Sequence, residues 1–316
     1  MKNVVIIDAL NMFLRSYVVS PHLSKKGLPV GGTIGFLKSL QKVSRDFEAD
    51  EVIVAWDGHE GSQRKRSMNK DYKAGRKPVR FNRRMIDLPA DQEAANKGYQ
   101  QVRLMEYLNL MPVIQLIADY TEADDIIAHV VQSRYYENWN KIIISSDKDF
   151  FQLCADDISV HRPIQKKTLN KQSIIDEFKI HPKNFALARA IAGDKSDNLP
   201  GVRGAGLKTI AKRFPYLIRE DIYEVGDIIR DCVMVGKKMK IHENIACSEQ
   251  LLKDNYRIMQ LYSPNIRPIN RMMIDKALQD FEPFFSKINF TQMLFEDDAG
   301  HLNFQGLQQV FRRIKR

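Results

Sequence analysis

Cysteine is scarce in this chain, with three residues, Cys154, Cys232 and Cys247, among 316. An odd, scattered set fits neither a disulfide framework nor a zinc cluster, and a reducing cytoplasm suits it best. Long apolar runs are missing too. No stretch approaches the roughly 18 apolar residues of a spanning helix, so an integral membrane protein is not expected. Residues 1–10 hold one Lys and a short apolar run that Asp8 interrupts, which reads as a buried strand and not a secretory leader. There is no internal repeat and no low-complexity tract. With 44% hydrophobic residues the chain can build a packed core, in one large or two ordinary domains.

Acids are the minority charge: 39 Asp and Glu against 49 Lys and Arg leave a net +10. A basic cytoplasmic protein points to polyanions, most often nucleic acid. The excess is concentrated. Residues 63–84 carry Arg64, Lys65, Arg66, Lys70, Lys73, Arg76, Lys77, Arg80, Arg83 and Arg84 against the single acid Asp71, a local +9 that leaves +1 for the other 294 residues. Few apolar residues interrupt this stretch (Met68, Tyr72, Val79, Phe81) and they form no helical stripe. It is therefore expected to be a mobile loop or marginal helix, unable to anchor to a core, that orders on a polyanion. A solvated basic loop is the plain alternative. Tyr72 and Phe81, which could stack on bases, favour nucleic acid. A second basic knot, Arg312, Arg313, Lys315 and Arg316, ends the sequence.

Up to about residue 162, short apolar runs alternate with helical patterns, the signature of an α/β domain with a mainly parallel sheet. Strands are expected at residues 4–7, 52–55, 112–117, 141–145 and 158–161, and helices at 34–47, 89–108 and 121–136. Thr121 is expected to cap the last of these, with Asp124 completing an acidic capping box. Beyond about residue 171 only helical patterns remain, at 172–178, 182–192, 207–214, 243–261 and 305–314, so a domain boundary is placed near residue 180. Leu307, Val310, Phe311 and Ile314 form a stripe expected to dock on its own domain, with recruitment of a partner as the alternative.

The carboxylates carry the chemistry. Asp8 follows the first strand, Asp57 the second, and Asp147 and Asp149 the fourth; sites in open α/β sheets form outside these carboxyl ends. Glu122, Asp124 and Asp125 cluster at a helix start, and Asp194 and Asp197 are spaced i, i+3. Any one alone reads as a turn residue or cap. Nine in one crevice would repel, at roughly 4 kcal/mol for a like-charged pair 4 Å apart with an effective dielectric near 20, unless cations neutralise them. An all-oxygen donor set without paired His or Cys indicates Mg²⁺ or Mn²⁺, and two such ions are a standard device for phosphodiester hydrolysis. Residues 199–209, with Arg203, Gly204, Gly206, Lys208 and Thr209, look like a helix-hairpin-helix turn. Its glycines let backbone approach a phosphate, with charge added by Lys208 and Lys212.

In order along residues 4–211, Ile7-Asp8-Ala9-Leu10-Asn11, Trp56-Asp57-Gly58, Tyr72-Lys73 with Arg76, Glu122-Ala123-Asp124-Asp125, Ser146-Asp147-Lys148-Asp149-Phe150 and Gly193-Asp194-Lys195-Ser196-Asp197-Asn198 resemble the flap endonuclease, or 5′-nuclease, family. That family includes phage 5′-nucleases of the ribonuclease H type and the 5′-exonuclease domain of bacterial DNA polymerase I. The resemblance implies a PIN-like nuclease domain at residues 1–180, with a basic helical arch at 63–90. It also implies a helical DNA-binding domain at 181–316, with its hairpin at about 193–214. It implies one ion among Asp8, Asp57, Glu122, Asp124 and Asp147, a second near Asp149, Asp194 and Asp197, Asp125 near either, and K⁺ at the hairpin. Catalytic work would fall to Asp8, Asp57 and Asp147 with Lys73 and Arg76 at the scissile phosphate. Tyr72 would stack on a nucleotide, and Lys65, Lys70, Arg80, Arg83 and the hairpin residues would contact DNA. Arg203 departs from the family, where many members carry Pro.

The expected function is a divalent-metal-dependent 5′-nuclease, with RNA-primer-removing ribonuclease H activity, in replication or repair. Expected partners are 5′-flap or branched DNA and RNA–DNA duplexes, with a single-strand-binding protein or sliding clamp at the C-terminus. A monomer in a phage or bacterial host cytoplasm is expected. A PIN-like ribonuclease on free RNA and a non-catalytic branched-DNA scaffold are the alternatives.

Overall fold

Val4, Val5, Ile6 and Ile7 are completely buried, so both faces of the first strand are covered and it reads as an unbroken apolar run. The computed structural model describes residues 1–76, 79–81, 88–235, 239–299 and 302–314. In the first half, β1 (Lys2–Asp8) leads into α1 (Ala9–Val19), α2 (Gly31–Asp46), β2 (Glu51–Ala55), α3 (Gln63–Met68), α4 (Ala90–Asn109), β3 (Ile114–Leu116), α5 (Ala123–Gln132) and β4 (Trp139–Ile144). After β5 (Ile158–Arg162) and β6 (Lys167–Leu169) the chain is helical: α6 (Lys171–Phe178), α7 (Pro182–Ala192), α8 (Leu207–Arg213), α9 (Val225–Val235) and α10 (Lys240–Ala246). It continues with α11 (Glu249–Met259), α12 (Pro268–Gln279), α13 (Lys287–Glu296) and α14 (Phe304–Phe311). None of the described helices is long and apolar enough to cross a membrane.

The sheet runs β3-β2-β1-β4-β5-β6. All neighbours are parallel except β5 and β6. The mixed α/β architecture with a mainly parallel sheet is therefore as expected. The chain steps from β1 to β2 and β3 on one side, then returns to place β4 on the other. The carboxyl ends of β1 and β4 thus flank the switch point at which α/β sheets form their sites.

Alternation along β1 divides the core in two. Val4 and Ile6 face a cluster that takes in α5 and side chains from α7 to α12, among them Phe185, Ile210, Ile228, Ile245, Leu252 and Ile274. Val5 and Ile7 face α1, α2 and α4, together with Phe290 of α13 and Leu307 and Phe311 of α14. The strands end at Leu169, and the hydrophobic cluster on the face of Val4 and Ile6 continues from the sheet into the helical region across residue 180. The helical region shares one sheet face, and the last two helices return to the other. The 307–314 stripe docks in a cluster that includes Phe290 and Leu302 of the helical region as well as side chains of α2. Leu307, Phe311 and Ile314 are buried there, and Val310 is half-buried.

Other local expectations change. The described part of the basic stretch, residues 63–76 and 79–81, does anchor itself: α3 forms, Tyr72 is 2% exposed against Leu199, Ile258 and Met259, and Phe81 stacks on Tyr17 at 3.9 Å. Thr121 does not cap α5. Its hydroxyl donates to the Asp119 carbonyl, and the Asp57 carboxylate accepts from the Ala123 amide in its place. The helix expected at 243–261 is broken at Cys247 and Ser248 into α10 and α11.

Candidate active site

The carboxyl ends of β1, β2 and β4 deliver acids by simple chain geometry. Asp8, the last residue of β1, is the N-cap of α1, with its Oδ1 accepting from the Asn11 amide at 3.1 Å. Its Oδ2 accepts from Ser145 Oγ at 2.9 Å, and the same hydroxyl accepts the Asp147 amide at 3.1 Å. Asp147 in turn accepts the Asp149 amide at 2.8 Å, closing a tight turn off β4. Asp57, just past β2, holds the first amide of α5 at 2.9 Å. That contact brings Glu122, Asp124 and Asp125 to the same end of the sheet.

Burial drives the electrostatics. Asp8 is pushed up to about 7 by desolvation, against its bonds from Asn11 and Ser145, with Asp57 and Asp147 adding repulsion. Asp149 is also pushed up to about 7, by burial and then by Asp147, against the opposing pull of Arg189. Asp124 lies well above the usual carboxylate range through burial and the proximity of Asp147, Asp8 and Glu122, with Lys65 opposing. These mutual effects place Asp8, Asp57, Glu122, Asp124, Asp147, Asp149 and Asp194 in one field, with Asp147 common to both ends.

The flanks are neutralised by protein cations. Glu122 receives Lys65 Nζ at 2.5 Å and Lys73 Nζ at 2.6 Å. Burial pushes its carboxyl up, but the two ammonium groups win and hold it at about 2. Opposite, Arg189 of α7 bridges Asp149, at 3.0 Å, and Asp194. Arg76 pairs with Asp197 and donates to the Ser196 carbonyl at 3.0 Å. The Lys73 amide donates to the Asp197 carbonyl at 2.9 Å, and Asn198 Nδ2 to the Asp71 carbonyl at 3.0 Å. The foot of the basic stretch is thus stapled to the 194–199 turn.

The donor set, carboxylates without His or Cys, has the chemistry of a site for hard divalent cations. As they stand, among the described residues, no three His, Cys, Asp or Glu side chains are placed to hold an ion. Their partners are the lysines, arginines and amides just named.

Three sequence expectations look different in place. Asp125 turns aside, its Oδ1 accepting the Asn265 amide at 2.7 Å. Tyr72 is no free stacking platform; its ring is buried, its hydroxyl lies 3.3 Å from Glu122, and Lys73 sits 4.9 Å from the ring centre. Lys65 is tied to Glu122 and not offered to solvent. Arg83 lies outside the described residues. Lys70, Arg80, Arg203, Gly204, Gly206, Lys208 and Lys212 are exposed, and Thr209 is half-buried. A side chain built at Gly204 (φ +85°) or Gly206 would meet nothing within 4 Å, so that backbone is open to a ligand. Gly193 and Gly201 are the reverse: their backbones press together so closely that a side chain on either would collide with the other turn.

Sequence reasoning missed Arg189, Ser145 and Asn11. Arg189 had a signal, being the only charge on the inner part of an otherwise apolar helix. Asn11, which accepts the Ser146 amide at 3.2 Å, had none beyond its place near Asp8.

The model of the family described as "5'-3' exonuclease, N-terminal resolvase-like domain" matches residues 3–179, more than half of the chain. The chain belongs to this 5′-3′ exonuclease family, a family of nucleases that hydrolyse phosphodiesters. It is 31% identical over 210 residues to the thermostable DNA polymerase I of Thermus aquaticus, covering 66% of this chain and 23% of the polymerase. It is 29% identical over 210 residues to the 5′-3′ exonuclease of Aquifex aeolicus, covering 66% and 68%. The matched part thus spans about a quarter of the polymerase's length. Among solved structures, the phage T5 D15 protein co-crystallised with metal ions superposes with a TM-score of 0.68 at 21% identity, over 89% of this chain and 98% of that one. The phage T5 flap endonuclease in a pseudo-enzyme-product complex with DNA and metal ions gives 0.65 at 20% identity, over 94% and 100%. At such identities the likeness is one of fold.

Proposed function

We propose that this protein is a divalent-metal-dependent 5′-nuclease that cleaves phosphodiesters near single-strand/duplex junctions, including RNA primers and 5′ flaps in replication or repair. The observation that supports it most is the charge pattern at the switch point. Carboxylates from β1, β2, β4 and α5, with Asp8 buried and Asp57 exposed, repel one another at the centre, while cationic side chains occupy the rim.

Asp8, Asp57, Glu122, Asp124 and Asp147 would hold one Mg²⁺ or Mn²⁺, and Asp149, Asp194 and Asp197 would serve a second, with Asp147 facing both. Such a pair supplies activation of water and neutralisation of charge at the phosphate. Lys73 and Arg76, released from Glu122 and Asp197, would orient the scissile phosphate and stabilise its developing charge. Arg189 would keep Asp149 and Asp194 ionised and aligned. Ser145, bonded to both Asp8 and Asp147, would fix the spacing between the β1 and β4 acids. The open backbone at Gly204 and Gly206, with Arg203, Lys208, Thr209 and Lys212, would hold the duplex backbone. Lys70 and Arg80 would meet the single strand.

Asp57→Asn keeps an acceptor for the Ala123 amide but removes a charge. It should abolish cleavage of a 5′-flap duplex while junction binding stays within a few-fold of the parent. Undiminished turnover would overturn the site. Affinity should also fall by about 10³–10⁵ between 50 and 200 mM salt if 6–10 phosphates are neutralised.

A further inference from the structure

A second recess shares a wall with the carboxylate crevice. It is a cavity of about 280 Å³ between α3, the end of α11, the 263–266 segment and the start of α12. Arg64, Lys65, Arg257 and Arg271 line it, with Asp125 the single acid among its lining residues. Lys65 is already balanced by Glu122, and Asp125 is bonded to the Asn265 amide. Among the described residues, Arg64, Arg257 and Arg271 have no carboxylate within 4.0 Å, whereas Arg189 next door has two. Arg271 donates through one nitrogen to the Pro264 carbonyl at 2.9 Å, and its buried Nε has no partner. Three arginines against the one carboxylate of Asp125 leave a net positive field directed into a concave space.

We propose that this recess binds a phosphate of the substrate's single-stranded 5′ segment, an inference that rests on the nuclease reading. Guanidinium forks match phosphate oxygens in pairs. The cavity lies one side chain from the crevice, because Lys65 lines the one and pairs with Glu122 in the other. It sits under the start of the basic stretch, and a concave pocket admits a flexible strand more readily than the stiff, convex backbone of a duplex. The phosphate can be the terminal monoester of a 5′ end or an internal diester of a longer strand.

The test uses the full chain in EDTA, with fluorescence anisotropy on one duplex carrying a blunt end, a short 5′ overhang ending in hydroxyl, or the same overhang ending in phosphate. Arg257→Gln and the double variant Arg64→Gln/Arg257→Gln are compared with the parent after matched melting curves. Arg257 is exposed and makes no hydrogen bond among the described residues, so folding should be retained. Overhang affinity should fall about tenfold per lost charge-assisted contact, and the log–log salt slope by about 0.7 for each. Blunt-end affinity should stay within about twofold. Arg257→Lys should recover only part of the loss, since an ammonium cannot offer a fork. A loss confined to the 5′-phosphorylated overhang assigns the monoester; an equal loss on both overhangs assigns an internal diester. Overhang affinity and salt slope unchanged in the double variant would overturn the pocket. A parent that binds through the pocket yet cleaves nothing with Mg²⁺ would instead overturn the nuclease reading.

Discussion

The rim and the centre of the crevice solve the same problem in opposite ways. At the rim, Glu122 is met by Lys65 and Lys73, and Asp149 and Asp194 share Arg189, so buried acids have protein counter-charges. At the centre, among the described residues, Asp8 has only a serine hydroxyl and an amide, and Asp57 and Asp147 repel it. Buried charge without compensation is expensive enough that such a group neutralises or acquires a cation. The rim is therefore balanced by the protein's own cations, whereas the centre is left for a proton or, on the proposed function, a divalent ion. The Lys65 and Lys73 contacts also show what a bare +10 conceals. Part of the basic stretch serves the protein's own acids, and only the rest is left for a polyanion.

Breaking the centre should give the largest effect. Asp147→Asn, at the position common to both carboxylate groups, should cut turnover on a 5′-flap duplex by at least about 10³-fold with binding nearly intact, as single-turnover kinetics would show. Breaking the rim should cost stability instead. Arg189→Met leaves the half-buried Asp149 and Asp194 without their shared counter-charge, at about 1–3 kcal/mol in urea unfolding, and Mg²⁺ should recover part of it.

The pH response sorts the acids by whether burial or counter-charge wins. Asp8 and Asp149 rise to about 7 from 3.8, so the folded protein keeps protons that the unfolded chain has released between those values. Metal-free stability should therefore fall as pH rises from about 4.5 to 7, on the order of a few kcal/mol. Glu122, held at about 2, works the other way but only below 4.5. Urea midpoints in EDTA at several pH values check the slope, and saturating Mg²⁺ should flatten it. The smallest effect belongs to Tyr72→Phe, which removes the hydroxyl near Glu122 but leaves the packing, for about 1 kcal/mol. A large loss of DNA affinity in that variant would restore Tyr72 as a DNA contact.

Much of this was legible because local signals and tertiary needs agree. α7 begins at Pro182 and ends at Gly193, where φ is +74°, the two residue types that start and stop helices cheaply. The parallel strands announced themselves as apolar runs, and acids directly after them marked the crevice. β6 was not legible, being three residues with two of them exposed. Nor was the break at Cys247–Ser248, which has neither glycine nor proline. The anchoring of the basic stretch depended on long-range partners: Leu199, Ile258 and Met259 for Tyr72, and Tyr17 for Phe81. Charge pairing across 40 to 57 residues, as in Arg189–Asp149 and Lys65–Glu122, leaves no local pattern at all.

The central claim is that the uncompensated carboxylates work only with divalent ions. The most direct measurement is the cleavage rate of a 5′-flap duplex as Mg²⁺ is titrated into the EDTA-treated protein. The account predicts no cleavage in EDTA and a rate that climbs to saturation with Mg²⁺. Cleavage that persists at full rate in EDTA would contradict it.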